Sequence, residues 1–349
     1  MYTKTITIAL ILFVGFNSFA QQDGVKEKEE YYAKKKKLME SSPINFNETE
    51  QAKSSGNSRL INILPGVYYF QGNHNMGVYL VEDKFTLIDT QEEEKMSRNL
   101  NIIEKINKKA SVKYLVSTSN EIKALNTAKD LKIDGTLLIS QRLTKKNELN
   151  RKLTGKAGFS GSFKPNFSFT KQLNLNIGSK TIEIISINNE GNSIVYLPNE
   201  NVLFTGAVYN HKLYPYLDYK VGITIKSMLK DISKIVEVSD ENTKIVPGKG
   251  SLSNTLELRN YQKVMSRISK QMESMIKNGK TLQEILAMKK ITANLESRGF
   301  GDGSITTKMF LTSLHEELIY QLGPIDTRSP EERAMERLRE MQKEKENKN

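Results

Sequence analysis

Three short runs rich in β-branched and aromatic residues, 66–70, 77–81 and 85–89, follow one another with only Gly/Asn and Glu-Asp-Lys turns between them. Residue type and turn chemistry read as three consecutive strands. Met96, Leu100, Ile103 and Ile106 then recur at helical spacing. Next comes an apolar strand over 114–116, a polar turn beginning at Ser117, and a helix predicted over 120–131. A strand over 136–139 closes this half. The polar, glycine-punctuated segment 144–165 reads as a mobile loop or lid, because its glycines lack the spacing and strand–helix context of a phosphate-binding loop.

A second β-rich block follows, with strands predicted over 173–177, 181–187, 193–197 and 202–205. The last third is helical. Helices are predicted over 223–238 and 256–277, the latter with Val264, Ile268, Met272 and Ile276 on one stripe. A short strand at 244–248 stops at Pro247 and Gly248. Gly279 stands where it can end the long helix, and Thr281 with Glu284 forms a capping-box pattern that opens the next. A further helix carries Phe310, Leu311, Leu314, Leu318 and Leu322. Strands and helices in this order predict an α/β chain whose two sheets pack between helical layers.

The ends read differently. Lys4, an apolar run over 6–16 and the small residues Ser18 and Ala20 have the pattern of a secretory signal peptide over 1–20, cut before Gln21. That run is shorter than the ~18–20 residues a membrane span needs. Residues 21–58 are a charged, largely disordered leader, including a lysine run at 34–37. The ordered domain is expected over 59–325, C-terminal helices included, and 326–349 is a charged tail, helical in propensity or disordered. The chain of 349 residues contains no cysteine, so an exported protein of this kind is held by its core alone. Its net charge of +12 comes from lysines mostly interleaved with glutamates, without an aromatic-basic motif, so no nucleic-acid partner is expected. The expectation is a periplasmic or secreted protein that is not transmembrane once the signal is removed.

Candidates for chemistry are few. There is no cysteine nucleophile and no Gly-x-Ser-x-Gly elbow. The three histidines are His74 in a turn, His211 after a hairpin and His315 on a late helix. His74, His211 and Glu121 could meet at a metal only if their loops converge; otherwise they are turn and packing residues. Ser119 and Lys123, four apart, could form an activated Ser–Lys pair, or Ser119 or Asn120 simply caps a helix beside an exposed lysine.

Residues 60–322 resemble the metallo-β-lactamase-fold hydrolase superfamily. The opening hairpin ends in Asp89 and Thr90, with Gln91 where a glycine is usual. Residues 113–118 are similar to the strand that leads into the zinc loop. Residues 195–206 are similar to the hairpin before the bridging aspartate, 244–250 to the segment that supplies a late histidine, and 278–284 to the helix-turn-helix after it. The resemblance implies a four-layer αββα sandwich and a zinc-dependent hydrolase. The residues at the matching ligand positions do not follow. Where a His-x-His-x-Asp-His loop is expected after Thr118, this chain has Ser119, Glu121, Lys123 and Ala124. The next histidine falls at Asn188, the bridging aspartate at Ala207 and the last histidine at Lys249.

Zinc requires imidazole or carboxylate donors of this kind, and it works by lowering the pKa of bound water to about 7. Hydroxyl, methyl and amide side chains cannot replace them, and charged Lys123 and Lys249 would repel the ion. The expectation is therefore a vestigial pocket of Asp89, Ser119, Glu121, Lys123, Asn188, Ala207 and Lys249. It has no metal ligand set, no cofactor and no assignable catalytic residue. The expected function is that of a non-catalytic pseudoenzyme binding a small ligand or an envelope protein. One alternative is a hydrolase with altered or metal-independent chemistry in the same pocket. Another is an assembly component of the envelope that works through its charged termini.

Overall fold

The computed structural model describes residues 58–119, 135–142, 165–188 and 191–323, together with positions 335, 339 and 343. The predicted signal peptide, the leader up to residue 57, the helix expected over 120–131, most of the expected lid and nearly all of the tail lie outside the described residues. The chain divides into two compact units, Met1–His211 with Ser233–Leu258, and Lys212–Ile232 with Arg259–Asn349.

The first unit holds two sheets. One runs in sequence order from β1 to β7: Arg59–Leu64, Val67–Gln71, Met76–Val81, Lys84–Ile88, Ser111–Ser117, Leu137–Gln141 and Phe167–Phe169. β1 to β4 are antiparallel, and β4 to β7 are parallel. The other sheet has the order β13-β12-β11-β10-β9-β8, from β8 Gln172–Ile177, β9 Lys180–Ser186, β10 Ser193–Leu197, β11 Val202–Phe204, β12 Lys244–Val246 and β13 Ser253–Asn254. Only β11 and β12 pair in parallel there.

Period-two alternation decides what each strand buries. On β3, Met76 and Val78 face helix α1, Glu93–Ile106, where they join Phe85, Leu87, Met96 and Ile103. The alternate residues Tyr79 and Val81 face the second sheet and meet Ile182, Ile184, Val195, Leu197, Val202 and Phe204. Gly77 lets the sheets approach here, since a Cβ on it would stand 2.5 Å from the Phe204 ring. The outward residues of the second sheet, Ile194, Leu203 and Ile245, are buried in turn, and residues 233–238 of helix α2, Ile225–Val238, belong to this unit. The layers are helix, sheet, sheet and helix, the αββα arrangement expected from the sequence.

The second unit is helical. It contains most of α3, Thr255–Lys277, then α4, Leu282–Ala287, α5, Ala293–Glu296, and α6, Thr307–Leu322. Ile268, Met272 and Ile276 of α3 are buried as the stripe predicts, while Met265 takes the buried place expected of Val264. Gly279 has φ +79° just past the helix. The predicted capping box forms: Glu284 N donates to Thr281 Oγ1 and Thr281 N donates to Glu284 Oε2. Tyr214 stacks on Phe310 at 4.6 Å and meets the edge of Phe300 at 5.4 Å. Burial among these rings pushes its phenol up to about 12.

Glu317 of α6 is fully buried, and both its carboxylate oxygens accept the Ile225 N–H that opens α2, at 3.1 and 2.9 Å. It thus caps a helix N-terminus from another helix. Desolvation nonetheless raises its pKa above the ordinary glutamate value. A raised folded-state pKa adds stability below the unfolded-state value, and that stability is lost as pH rises through the folded value. Glu317→Ala should therefore cost about 2 kcal/mol through the orphaned donor. Glu317→Gln, which keeps an acceptor, should cost less. The melting-temperature gap between the native chain and Glu317→Gln should be wider near pH 4 than near pH 8.

Candidate functional site

The expected site lies where strands end in the first unit. Asp89 follows β4 in a left-handed conformation, φ 60°, which aspartate tolerates better than most residues. Its N–H donates to Val116 O at 2.8 Å. Its carboxylate accepts Thr118 N–H at 2.7 Å and Thr118 Oγ1–H at 2.6 Å. Asp89 is thus a brace for the end of β5 rather than an open donor. Thr118 O in turn accepts Ser193 N–H at 2.8 Å, which joins the first sheet to the start of β10 in the second.

Two glycines bring the other strand ends against this point. Gly206 has φ +52°, and a Cβ on it would collide with Thr118 Oγ1. A Cβ on Gly248 would collide with the Gly206 carbonyl oxygen and stand 3.1 Å from Ala207 Cα. Ser119, Ala207 and Lys249 are each the next residue after one of these contacts, so the ends of β5, β11 and β12 converge. Ala207 is exposed, and Ser119, Asn188 and Lys249 are half-buried. Asn188 belongs to the β9–β10 turn. Its carbonyl accepts Gln141 Nε2–H at 2.6 Å and Ser186 Oγ–H at 3.1 Å. Glu121 and Lys123 lie outside the described residues.

The segment 247–250 is held from both sides. Asn75 donates its N–H to Gly248 O and its Nδ2 hydrogens to Pro247 O and Gly250 O, all at 2.8 Å. From the opposite side His211 N donates to Lys249 O at 2.9 Å, and Gly248 N donates to Tyr209 O at 2.8 Å. The turn that carries Asn75 is itself fixed by a buried polar chain. Gln91 Nε2 donates to Phe70 O at 3.2 Å and His74 O at 2.6 Å, Asn99 Nδ2 donates to Gln91 Oε1 at 2.8 Å, and Ser58 Oγ donates to Asn99 Oδ1 at 2.7 Å. Gln91 is therefore a structural residue of this chain. The sequence signal for that chain was Asn99, a polar residue on the apolar face of α1 between Met96 and Ile103.

The histidines have separate partners. His74 Nδ1 is 3.8 Å from Glu92 Oε1. His211 is buried, its Nε2 3.3 Å from Glu257 Oε2 and its Nδ1 3.0 Å from Ser251 O and 3.1 Å from Ser251 Oγ. Facing a carbonyl oxygen, Nδ1 is a donor, so it is not a base for the Ser251 hydroxyl. Ser253 Oγ donates to Glu257 Oε2 at 2.9 Å and lies 3.1 Å from the Tyr209 hydroxyl. Burial pushes that phenol up to about 12, against the Ser253 hydrogen bond, which lowers it, and with Glu257, which adds to the rise. The sequence reading did not foresee this Tyr209–Ser253–Glu257–His211 group. His315 is half-buried on α6, and desolvation lowers its pKa, as suits a packing residue.

Among the described residues the donor set does not fit zinc. Ala207 has no donor atom, Lys249 and Asn188 carry nitrogen in forms zinc does not take, and both Asp89 oxygens accept from Thr118. Among the described residues no group of three or more His, Cys, Asp or Glu side chains could hold a metal ion. Nor is any described helix long and apolar enough to cross a membrane.

No protein-family model matches the sequence, and no curated protein is similar to it. Solved structures are. The stereoselective inverting sec-alkylsulfatase Pisa1 from Pseudomonas sp. aligns with 85% of this chain at a TM-score of 0.60 and 13% identity. The chain has the metallo-β-lactamase fold. It spans 64% of the length of that alkylsulfatase structure. A double mutant of the same enzyme aligns with 78% of this chain and 51% of its own at a TM-score of 0.53 and 14% identity. A metallo-β-lactamase from Pontibacter korlensis is similar over 60% of this chain and 99% of its own, at 18% identity and a TM-score of 0.47. At these identities the likeness is one of fold, and the metallo-β-lactamase fold here carries Ser119, Asn188, Ala207 and Lys249 at the strand ends.

Proposed function

We propose that this chain is an exported binding protein that keeps the metallo-β-lactamase fold as a framework and uses the strand-end pocket without a metal. The observation that carries this reading is the pairing of Ala207 with Lys249. One loop end brings no charge and no donor, and the loop packed against it brings an ammonium group. Among the described residues nothing at these strand ends offers a ligand set for a metal-activated water. The bracing by Asp89, Thr118 and Asn75 keeps the pocket walls fixed, which suits a site that binds. The occupant is a small ligand or an envelope partner. Export rests on the signal-peptide pattern of the first twenty residues and places the protein in the periplasm or outside the cell.

The test is a screen of ester, lactam and phosphodiester substrates with and without EDTA. The native chain should turn over none of them faster than a Ser119→Ala, Glu121→Ala, Lys123→Ala triple variant. EDTA-sensitive hydrolysis that the triple variant loses would overturn the reading in favour of a hydrolase.

A further inference from the structure

An edge strand offers unpaired backbone groups to any strand that can add to it, and three of the four edges here are guarded. β1 carries Arg59 and a register shift between Asn62 and Leu64, β7 has three residues and β13 has two. β8, Gln172–Ile177, is different. It runs six residues in unbroken register with β9 and contains no charged residue and no proline. Among the described residues no strand pairs with its other side.

The direction of its backbone groups follows from one bond. Lys171 O accepts Ser186 N–H at 2.7 Å, so residue 171 turns its polar groups toward β9. An antiparallel ladder alternates, so Leu173, Leu175 and Ile177 do the same, while Gln172, Asn174 and Asn176 turn their N–H and C=O groups away from β9. Leu173 and Leu175 are half-buried against the core between the sheets, and the three amide residues are exposed. β7 joins β8 through only Thr170 and Lys171, and its Phe167 is 52% exposed, which adds apolar surface to the same stretch of chain.

The strand reads nearly the same in both directions about Asn174. Set antiparallel against a second copy with Asn174 opposite Asn174, Gln172 falls opposite Asn176 and Leu173 opposite Leu175. The residues whose backbone groups point outward are then the ones that form hydrogen-bonded pairs. Leucine meets leucine on the core face, and amide meets amide on the other, where each side chain can both donate and accept. Lys171 falls opposite Ile177, so no like charges meet. A shift of two residues either way loses one of the hydrogen-bonded pairs. A two-fold contact needs a surface that is its own complement, and this strand is one.

We infer that β8 is an interface between two copies of this chain, joining them into one continuous antiparallel sheet across a two-fold axis at Asn174. This goes beyond the binding reading above and stands whatever the strand-end pocket holds.

Sedimentation equilibrium of the full chain over about a hundredfold range of concentration should show a monomer–dimer equilibrium. Asn174→Pro removes only an N–H that points away from β9, so the variant should melt as the dilute native chain does and dimerise about tenfold or more weakly. Leu175→Pro removes an N–H that β9 uses, and should lower melting instead. Asn174→Lys and Asn174→Glu should each be monomeric, because like charges would face each other across the axis, and an equimolar mixture should recover a heterodimer. The register has its own check, since the native chain has no cysteine. Asn174→Cys should cross-link two copies under mild oxidation, whereas Asn176→Cys, about 13 Å or more from its own copy in this pairing, should not. A native chain that stays monomeric throughout, or a dimer that Asn174→Pro and Asn174→Lys leave intact, overturns the inference. A monomeric native chain whose Asn174→Pro variant melts lower would give the edge to another segment of the same chain and overturns it equally.

Discussion

Gly248→Ala is expected to lower stability by about 3 kcal/mol, the upper range for forcing one extra methyl into a packed site, and melting by about 10 °C. The added Cβ would strike the Gly206 carbonyl oxygen, a backbone atom that cannot rotate away. Neither backbone has room to shift. Gly248 is hydrogen-bonded to Asn75 and Tyr209, and Gly206 lies against Thr118, which Asp89 holds. Gly279→Ala is the control. It has a left-handed φ but meets nothing within 4 Å, so it should cost only about 1 kcal/mol of backbone strain. Thermal melting of the two variants side by side checks the claim. Equal, small losses would mean that the strand ends are not locked together as described.

Asp89→Ala is expected to cost about 3 kcal/mol, because it orphans the Thr118 N–H and hydroxyl and strips two charge-assisted hydrogen bonds from the junction of β4 and β5. Asp89→Asn should cost roughly 1 kcal/mol. Asparagine tolerates the left-handed backbone and keeps an acceptor for the Thr118 N–H. Denaturant unfolding of both variants measures the difference. An Asp89→Ala loss no larger than that of Asp89→Asn would contradict the bracing role. On the metal-free reading, metal content should be the same in native chain and variants.

Much of this architecture is legible in the residues. The strands β2 to β5 and β8 to β12 could be read because their two faces are both buried or alternate cleanly, as at Met76–Val81. The capping box at Thr281 and the stop at Gly279 follow from local chemistry that tertiary packing does not disturb. β1, Arg59–Leu64, and β7, Phe167–Phe169, were missed for a physical reason. They are the end strands of their sheet, and β7 has only three residues to show a period. The ligand positions could be tested one by one because a metal demands specific donors at specific places. The supports of the pocket could not, because each pairs residues far apart in sequence. Asn75 reaches Pro247, Asp89 reaches Thr118, and Tyr209 reaches Ser253. A hydrogen bond across so long a separation leaves no local pattern in either segment.

The measurement closest to the central claim is the zinc content of the purified chain after equilibration with zinc and removal of free ion, by plasma mass spectrometry. The metal-free reading predicts far less than one zinc per chain, and no change in melting temperature on adding either zinc or EDTA. One tightly held zinc per chain, lost on Glu121→Ala, would contradict it.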